Sequence, residues 1–223
     1  MARIYSVHPD NPQVRTVEQI RDELQDGAVM LYPTDTVYAI GCDLNSKAAV
    51  QRVRQIKQLS NDKPLTFLCP SLSNIAKYAL VSDSAYRIMR SLIPGPFTFL
   101  LPATKLVPRL VQDPKRKTTG IRVPDHRVSQ ALLAGLGNPI ISTSARLADD
   151  EAGPVIPPEP GATVSQAELF DRFDKLVDVI VDDGTEPGYQ VSTILDLCRA
   201  EPVVVRKGLG WEAIPDGFAA SLP

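Results

Sequence analysis

The stretch Val29–Gly41, VMLYPTDTVYAIG, decides how this chain is read. Val29, Met30, Leu31 and Tyr32 form a short apolar run of the kind a buried strand uses. Pro33 ends the run, because it has no N–H to give a sheet ladder. Thr34, Asp35 and Thr36 follow, three small polar side chains that bond readily to backbone. The chain returns through Val37, Tyr38, Ala39 and Ile40 and turns at Gly41. Local chemistry alone describes an ordinary strand, turn and second strand. A strand that breaks at proline and carries hydroxyls at its tip is also a place to grip a small polar ligand.

The 223 residues are 43% hydrophobic and 22% charged, enough for one sizeable core without a second domain. Aromatics make up only 6%, so the core is expected to be aliphatic. A net charge of −2 argues against wholesale coating of nucleic acid. The charge is uneven: Lys105–Arg127 holds seven Lys/Arg and two Asp, whereas Asp149–Glu201 holds thirteen Asp/Glu and three Lys/Arg. A local basic face is therefore compatible with an acidic total. Cys42, Cys69 and Cys198 are odd in number and far apart, which fits buried thiols in a reducing compartment. No Cys/His spacing suggests zinc. No apolar h-region follows the first residues, and no run approaches the roughly 18 residues of a membrane span. The expectation is a soluble cytoplasmic protein with no membrane partner.

Working outward, Asn11 and Pro12 predict the start of a helix over 13–26, with Val14, Val17, Ile20 and Leu24 on one face and Gly27 ending it. Asn45 or Ser46 caps a second helix that carries Ala49, Val50, Val53 and Ile56 and delivers Lys57 to its end. Leu65–Cys69 reads as a strand, Ser73–Leu80 and Ser82–Ile93 as helices, and Phe97–Leu101 as a strand. Pro108–Lys117 predicts a short helix and a basic loop. Thr119–Val123 is a strand, and Asp125 caps a helix ended by Gly137. Ile140–Ser144 is a strand with a polar end. Ala148–Gly161 is proline-rich and acidic and reads as an exposed loop. Ser165 and Glu168 form a capping box for a helix with Leu169, Phe173 and Val177. Val179–Val181, Thr193–Leu197 and Val203–Val205 are short strands. The pattern is one α/β domain over 1–208, followed by a tail over 209–223.

No GxxxxGK[ST] loop and no GxGxxG turn occurs. Two histidines leave little room for a Ser/His/Asp site, and His126 after Asp125 reads as a solvated helix start. Asp182–Asp183 before Gly184 reads as a turn. What remains is hydroxyls and cations at strand ends: Thr36, Thr118, Ser142, Ser144 and Ser192 with Lys57, Lys63, Arg122 and Arg206. Arg122 and Arg206 each end an apolar strand, where a guanidinium presents a planar fork to a carboxylate or phosphate.

YPTDTVYAIGCD, KQLSNDKPL, PGPFTFLL, TGIRVPDH, IISTSA, VDVIVDDG, STILDL and VVVRKG occur in the order seen in the YrdC/YciO family, and the chain resembles it over about nine-tenths of its length. The resemblance implies a single α/β domain with a strongly twisted mixed sheet flanked by helices, the YrdC/RibB-like fold. It implies a nucleotidyltransferase that makes L-threonylcarbamoyl-adenylate from L-threonine, bicarbonate and ATP, with Mg²⁺ accompanying ATP, for the tRNA modification threonylcarbamoyladenosine. By resemblance, Thr36, Arg122, Ser144 and Ser192 hold threonine. Lys57, Lys63, Thr118 and Arg206 hold ATP, and Lys57, Ser144 and Arg146 are catalytic. The alternative is a non-catalytic protein of the YciO type that binds double-stranded RNA or tRNA through Arg109, Lys115, Arg116 and Lys117.

Two departures from the catalytic members stand out. Their Lys-x-Arg reads Lys57-Gln58-Leu59 here, and their Ser-x-Asn reads Ser144-Ala145-Arg146. A histidine usual after the Lys-Pro-Leu step is Leu68. The resemblance is thus to the YciO branch and implies reduced synthase activity.

Overall fold

A computed structural model describes residues 1–60, 63–146, 165–199, 201–214 and 219–220. In chain order the elements are β1 (Arg3–Ser6), α1 (Val14–Gln25), β2 (Met30–Tyr32), β3 (Ala39–Asp43), α2 (Lys47–Ile56), β4 (Thr66–Leu68), α3 (Leu72–Tyr78), α4 (Asp83–Leu92) and β5 (Phe97–Pro102). They continue with β6 (Thr118–Arg122), α5 (Arg127–Leu136), β7 (Ile140–Ser144), α6 (Gln166–Phe173), β8 (Val179–Asp182), β9 (Thr193–Asp196), β10 (Val203–Arg206) and β11 (Ala219–Ala220). Among the described residues the strands form one mixed, twisted sheet in the order β1-β8-β2-β3-β7-β4-β6-β5-β9-β10-β11.

Strand alternation divides the core in two. Val29, Leu31, Ile40, Phe67, Ile121, Ile141 and Leu195 point to one face and pack with residues of α2, α3, α4 and α6. Met30, Tyr32, Ala39, Leu68, Ile140, Val179 and Val181 point to the other face, where α1 and α5 supply Val17, Ile20, Leu24, Val128, Leu132 and Leu136. Each fully buried aliphatic side chain contributes roughly 1.5–3 kcal/mol. The helix pair α1/α5 covers the β8-β2-β3 side of its face. Further along, from β7 to β10, that face carries Ser142, Ser144, Thr66, Arg122, Thr98, Ser192 and Arg206, which line a cleft.

Helix starts follow local chemistry. Ser46, Ser82 and Ser165 accept from the N–H groups of Ala49, Ala85 and Glu168. Gly137, at φ +75°, ends α5 where a side chain would be strained.

Four sequence expectations need correction. Gln13, not Asn11, is the cap position of α1, and it makes no side-chain capping bond. His126, not Asp125, caps α5: its Nδ1 accepts from Ser129 N–H at 3.4 Å. Residues 108–117 form turns, not a helix, because the Asp113 carboxylate takes the Lys115 and Arg116 N–H groups. Val177 is buried but lies beyond α6, where a turn ends the helix. The expected loop Ala148–Gly161 lies outside the described residues. No helix among the described residues is long and apolar enough to cross a membrane.

Candidate functional site

The cleft has a volume of about 170 Å³. Its floor follows from strand register. Gly41 pairs with Ser142, Ser142 with Thr66, and Thr66 with Gly120. Four neighbouring strands therefore place small residues in one row across the sheet. A Cβ on Gly120 would lie 2.7 Å from Thr66 Oγ1, and one on Gly41 would lie 2.7 Å from the Tyr32 ring. Glycine at both positions leaves room for the hydroxyl groups. The Tyr32 hydroxyl donates to Ser142 Oγ at 2.7 Å, and burial raises the phenol's pKa, so it is a neutral donor.

At one end of the cleft stands Arg122, the last residue of β6. Its Nη1 donates to Thr36 Oγ1 at 2.8 Å, its Nε to the Gly95 carbonyl at 3.3 Å, and its Nη2 to the Asp35 carboxylate. Three of the five guanidinium N–H groups are thus engaged, and two remain for a ligand. The Thr34-Asp35-Thr36 loop is held by its own hydroxyls: Thr34 Oγ1 donates to the Val37 carbonyl at 2.7 Å and accepts from Thr36 N–H. Ser129 of α5 donates to the Pro33 carbonyl at 2.7 Å.

At the other end Arg206 closes β10. Its Nε and Nη2 donate to the Ser192 carbonyl at 3.1 and 2.7 Å, and Nη2 also reaches Ser192 Oγ at 3.2 Å. Ser192 Oγ is in turn 2.8 Å from Thr98 Oγ1. Desolvation, then the fields of Arg146 and Arg122, hold the Arg206 pKa below its usual value. The charges of Arg146 and Arg122 are thus felt at Arg206, which makes this end of the cleft a positive region.

The structure brings together Thr36, Arg122, Ser142, Ser144, Ser192 and Arg206 of the residues singled out by sequence. Lys57 is buried at the end of α2, and its ammonium donates to the Arg146 carbonyl, so it meets the turn after β7. Arg146 Nη2 donates to the Tyr189 carbonyl at 2.9 Å. Lys63 is exposed beside Pro64, which lines the cleft. Thr118 shares a strand face with Arg122 but stands four residues, about 13 Å, along it and does not line the cleft. Arg109, Lys115, Arg116 and Lys117 are exposed in the loop before β6, and Arg116 is ion-paired with Asp196.

Sequence reasoning missed Asp35, Thr66, Thr98 and the two floor glycines. Thr66 and Thr98 sit inside strands read as apolar, where only face alternation reveals them. It also missed the surroundings of His126. That side chain is not solvated: its Nε2 lies 3.2 Å from Asp183 Oδ2, with Asp183 fully buried. Tyr38 and Thr185 donate to the other carboxylate oxygen at 3.2 and 2.7 Å. Asp182 accepts from Gly184 N–H, which makes the turn expected there.

The segment after Asp183 runs along the cleft edge. Tyr189 takes the Arg146 bond, Val191 lines the cleft, and Gly188 packs on Thr36, where an added Cβ would lie 1.7 Å from the carbonyl oxygen. Gly188→Ala is therefore expected to push this segment off Thr36 and to cost about 1–3 kcal/mol of stability. Denaturant titration checks this; an unchanged midpoint would show that the segment yields freely.

Burial alone would raise the Asp183 carboxyl, but hydrogen bonds from His126 and Thr185 outweigh it and the pKa is lowered. Asp178 and Asp196 are lowered likewise, against burial, by Arg52 and Arg116. A depressed folded-state pKa contributes stability that is present above the unfolded value, about 3.9, and lost as pH falls through the folded one. The melting temperature is expected to hold from pH 7 to about 5 and to fall steeply below about 4. Asp183→Asn should shallow that acid limb, and an identical limb would remove Asp183 from the account.

The fold and site define an α/β protein with a cleft of hydroxyls and guanidiniums on one open face of a mixed sheet. A family profile described as Sua5_yciO_yrdC, Telomere recombination, matches residues 22–208, and the chain belongs to that family. It is 40% identical over 213 residues to the uncharacterised protein YciO of Escherichia coli strain K12, covering 94% of this chain and 97% of YciO. The crystal structure of E. coli YciO superposes with a TM-score of 0.83 over the same shares of each chain. A threonylcarbamoyl-AMP synthase of E. coli O1:K1 / APEC is 31% identical over 181 residues, covering 74% of this chain and 95% of the synthase. The P. abyssi Sua5 structure complexed with L-threonine has a TM-score of 0.83 at 24% identity, covering 98% of this chain and 62% of Sua5, which is a likeness of fold.

Proposed function

We propose that the chain is a threonylcarbamoyl-AMP synthase-like nucleotidyltransferase of reduced activity. It joins L-threonine, bicarbonate and ATP to give L-threonylcarbamoyl-adenylate and pyrophosphate, in support of tRNA threonylcarbamoyladenosine formation. The observation that carries the reading is one cleft with a carboxylate fork at Arg122 and a guanidinium cluster at Arg206, joined by a floor of hydroxyls. The named synthase relative supports the reaction class.

In this reaction bicarbonate supplies carbon dioxide and releases hydroxide, the threonine amine captures the carbon dioxide and its lost proton meets that hydroxide as water, a carbamate oxygen attacks the α-phosphorus of ATP, and pyrophosphate leaves. No covalent protein nucleophile is needed. Arg122 and Thr36 hold the threonine carboxylate, and Ser144 and Ser192 orient the two substrates. Arg206, with Arg146 and Lys57 beside the turn after β7, neutralises phosphate charge. The cleft's hydroxyls and guanidiniums suit phosphate oxygens rather than a cation. Mg²⁺ would therefore come with ATP rather than be held by these side chains, and it would supply further neutralisation of phosphate charge.

Arg206→Ala is expected to weaken ATP binding by roughly 1.5–3 kcal/mol, the range for a charged hydrogen bond. Calorimetric titration of ATP measures it, and an unchanged affinity would take Arg206 out of the nucleotide site.

A further inference from the structure

We propose that Asp35 sets the specificity of the Arg122 end of the cleft, favouring α-amino acids over carboxylic acids that lack the amine. The proposal rests on the reading of Arg122 as a carboxylate fork.

The Arg122 and Asp35 side chains are only 7% and 11% exposed, so the pair meets little water. One carboxylate oxygen accepts from Arg122 Nη2, and the other, Oδ2, is buried with no hydrogen-bond partner among the described residues. A buried carboxylate oxygen without a donor is unusual and calls for a reason. The pair carries no net charge before a ligand arrives. A simple carboxylate docking on the two remaining N–H groups would set a second negative charge beside Asp35 at low dielectric, which is costly. An α-amino acid brings its own ammonium and leaves the sum at zero. The field of Asp35 acts on that ammonium and against a second anion.

The far end of the cleft is built differently. Arg206 and Arg146 bond to carbonyl and hydroxyl oxygens, and among the described residues neither pairs with a carboxylate. That end keeps its positive charge and suits a polyanion. The two ends thus sort their ligands by net charge: a zwitterion at Arg122 and phosphates at Arg206. Discrimination of this kind works by making the wrong ligand unfavourable.

The test is calorimetric titration of L-threonine and of (R)-β-hydroxybutyrate, which lacks only the amine, into the parent protein, Asp35→Asn and Asp35→Glu. The parent and Asp35→Glu should prefer L-threonine by roughly tenfold or more, and Asp35→Asn should narrow the ratio to within about threefold. A full parental ratio in folded Asp35→Asn overturns the proposal while leaving the Arg122 reading intact. Equal affinity of the parent for both ligands overturns it without any variant, which covers the case in which Asp35→Asn does not fold. Binding of neither ligand by the parent overturns the Arg122 reading and the proposal with it.

Discussion

Arg122→Leu is expected to lower stability at neutral pH by about 3–5 kcal/mol and to abolish carboxylate binding in the cleft. The size follows from what is left behind. The Asp35 side chain is only 11% exposed, and among the described residues Arg122 is the only hydrogen-bonding partner of its carboxylate. Removing the guanidinium strands a charged carboxylate in the protein, and Thr36 Oγ1 and the Gly95 carbonyl each lose one of their two hydrogen bonds. Adding Asp35→Asn should recover much of the lost stability, because a neutral amide is far cheaper to bury, but it should not recover ligand binding. Denaturant titration of the three proteins separates these effects. A single variant as stable as the parent would mean that the ion pair is open to water, contrary to the geometry.

The second large effect concerns rate. Leu59→Arg is expected to raise synthase turnover by roughly two to three orders of magnitude, because a further guanidinium near the phosphates supplies a few kcal/mol to the transition state, and Leu59→Arg with Arg146→Asn, which restores the residue pair of the catalytic members, is expected to raise it as well. The structure adds a cost. Leu59 is half-buried and packs on the core, and its N–H donates to the Arg54 carbonyl. Arg54, itself buried, holds this loop through the carbonyls of Ser60, Lys63 and Leu110. An arginine at position 59 must carry its charge outward along an apolar stem, so some stability should be lost while rate is gained. Rates of pyrophosphate release in the parent and both variants decide the matter. No gain in folded variants would show that the two departures do not limit the chemistry.

The fold was legible where local chemistry and packing agree. The apolar run Val29–Tyr32 holds β2, the strand read at Ile140–Ser144 is β7, and the caps expected at Asn45 or Ser46 and at Ser165 mark helix starts, Ser46 taking the first. It failed where a side chain from elsewhere decided the outcome. Asp125 looks like the better cap, yet His126 takes the position and also meets Asp183, fifty-seven residues later in the chain. Residues 108–117 look helical by composition, but one aspartate, Asp113, collects their N–H groups into turns.

The site divides the same way. Arg122 and Arg206 announce themselves as charges that end apolar strands. Asp35 does not, because an aspartate after proline and threonine is ordinary turn chemistry until the strand order brings β6 beside it. The floor of the cleft was invisible for a different reason. Gly41, Ser142, Thr66 and Gly120 form a row only through pairings across four strands, and nothing local encodes that register. Lys57 and Arg146 were both expected in the catalytic set, and one bond, from the Lys57 ammonium to the Arg146 carbonyl, joins them.

The most direct measurement is incubation of the protein with ATP, L-threonine and bicarbonate, with products followed by mass spectrometry. The account predicts L-threonylcarbamoyl-adenylate and pyrophosphate in equal amounts, at a low rate, and neither when threonine or bicarbonate is left out. Absence of the adenylate after prolonged incubation, from folded protein that binds both threonine and ATP, would contradict it.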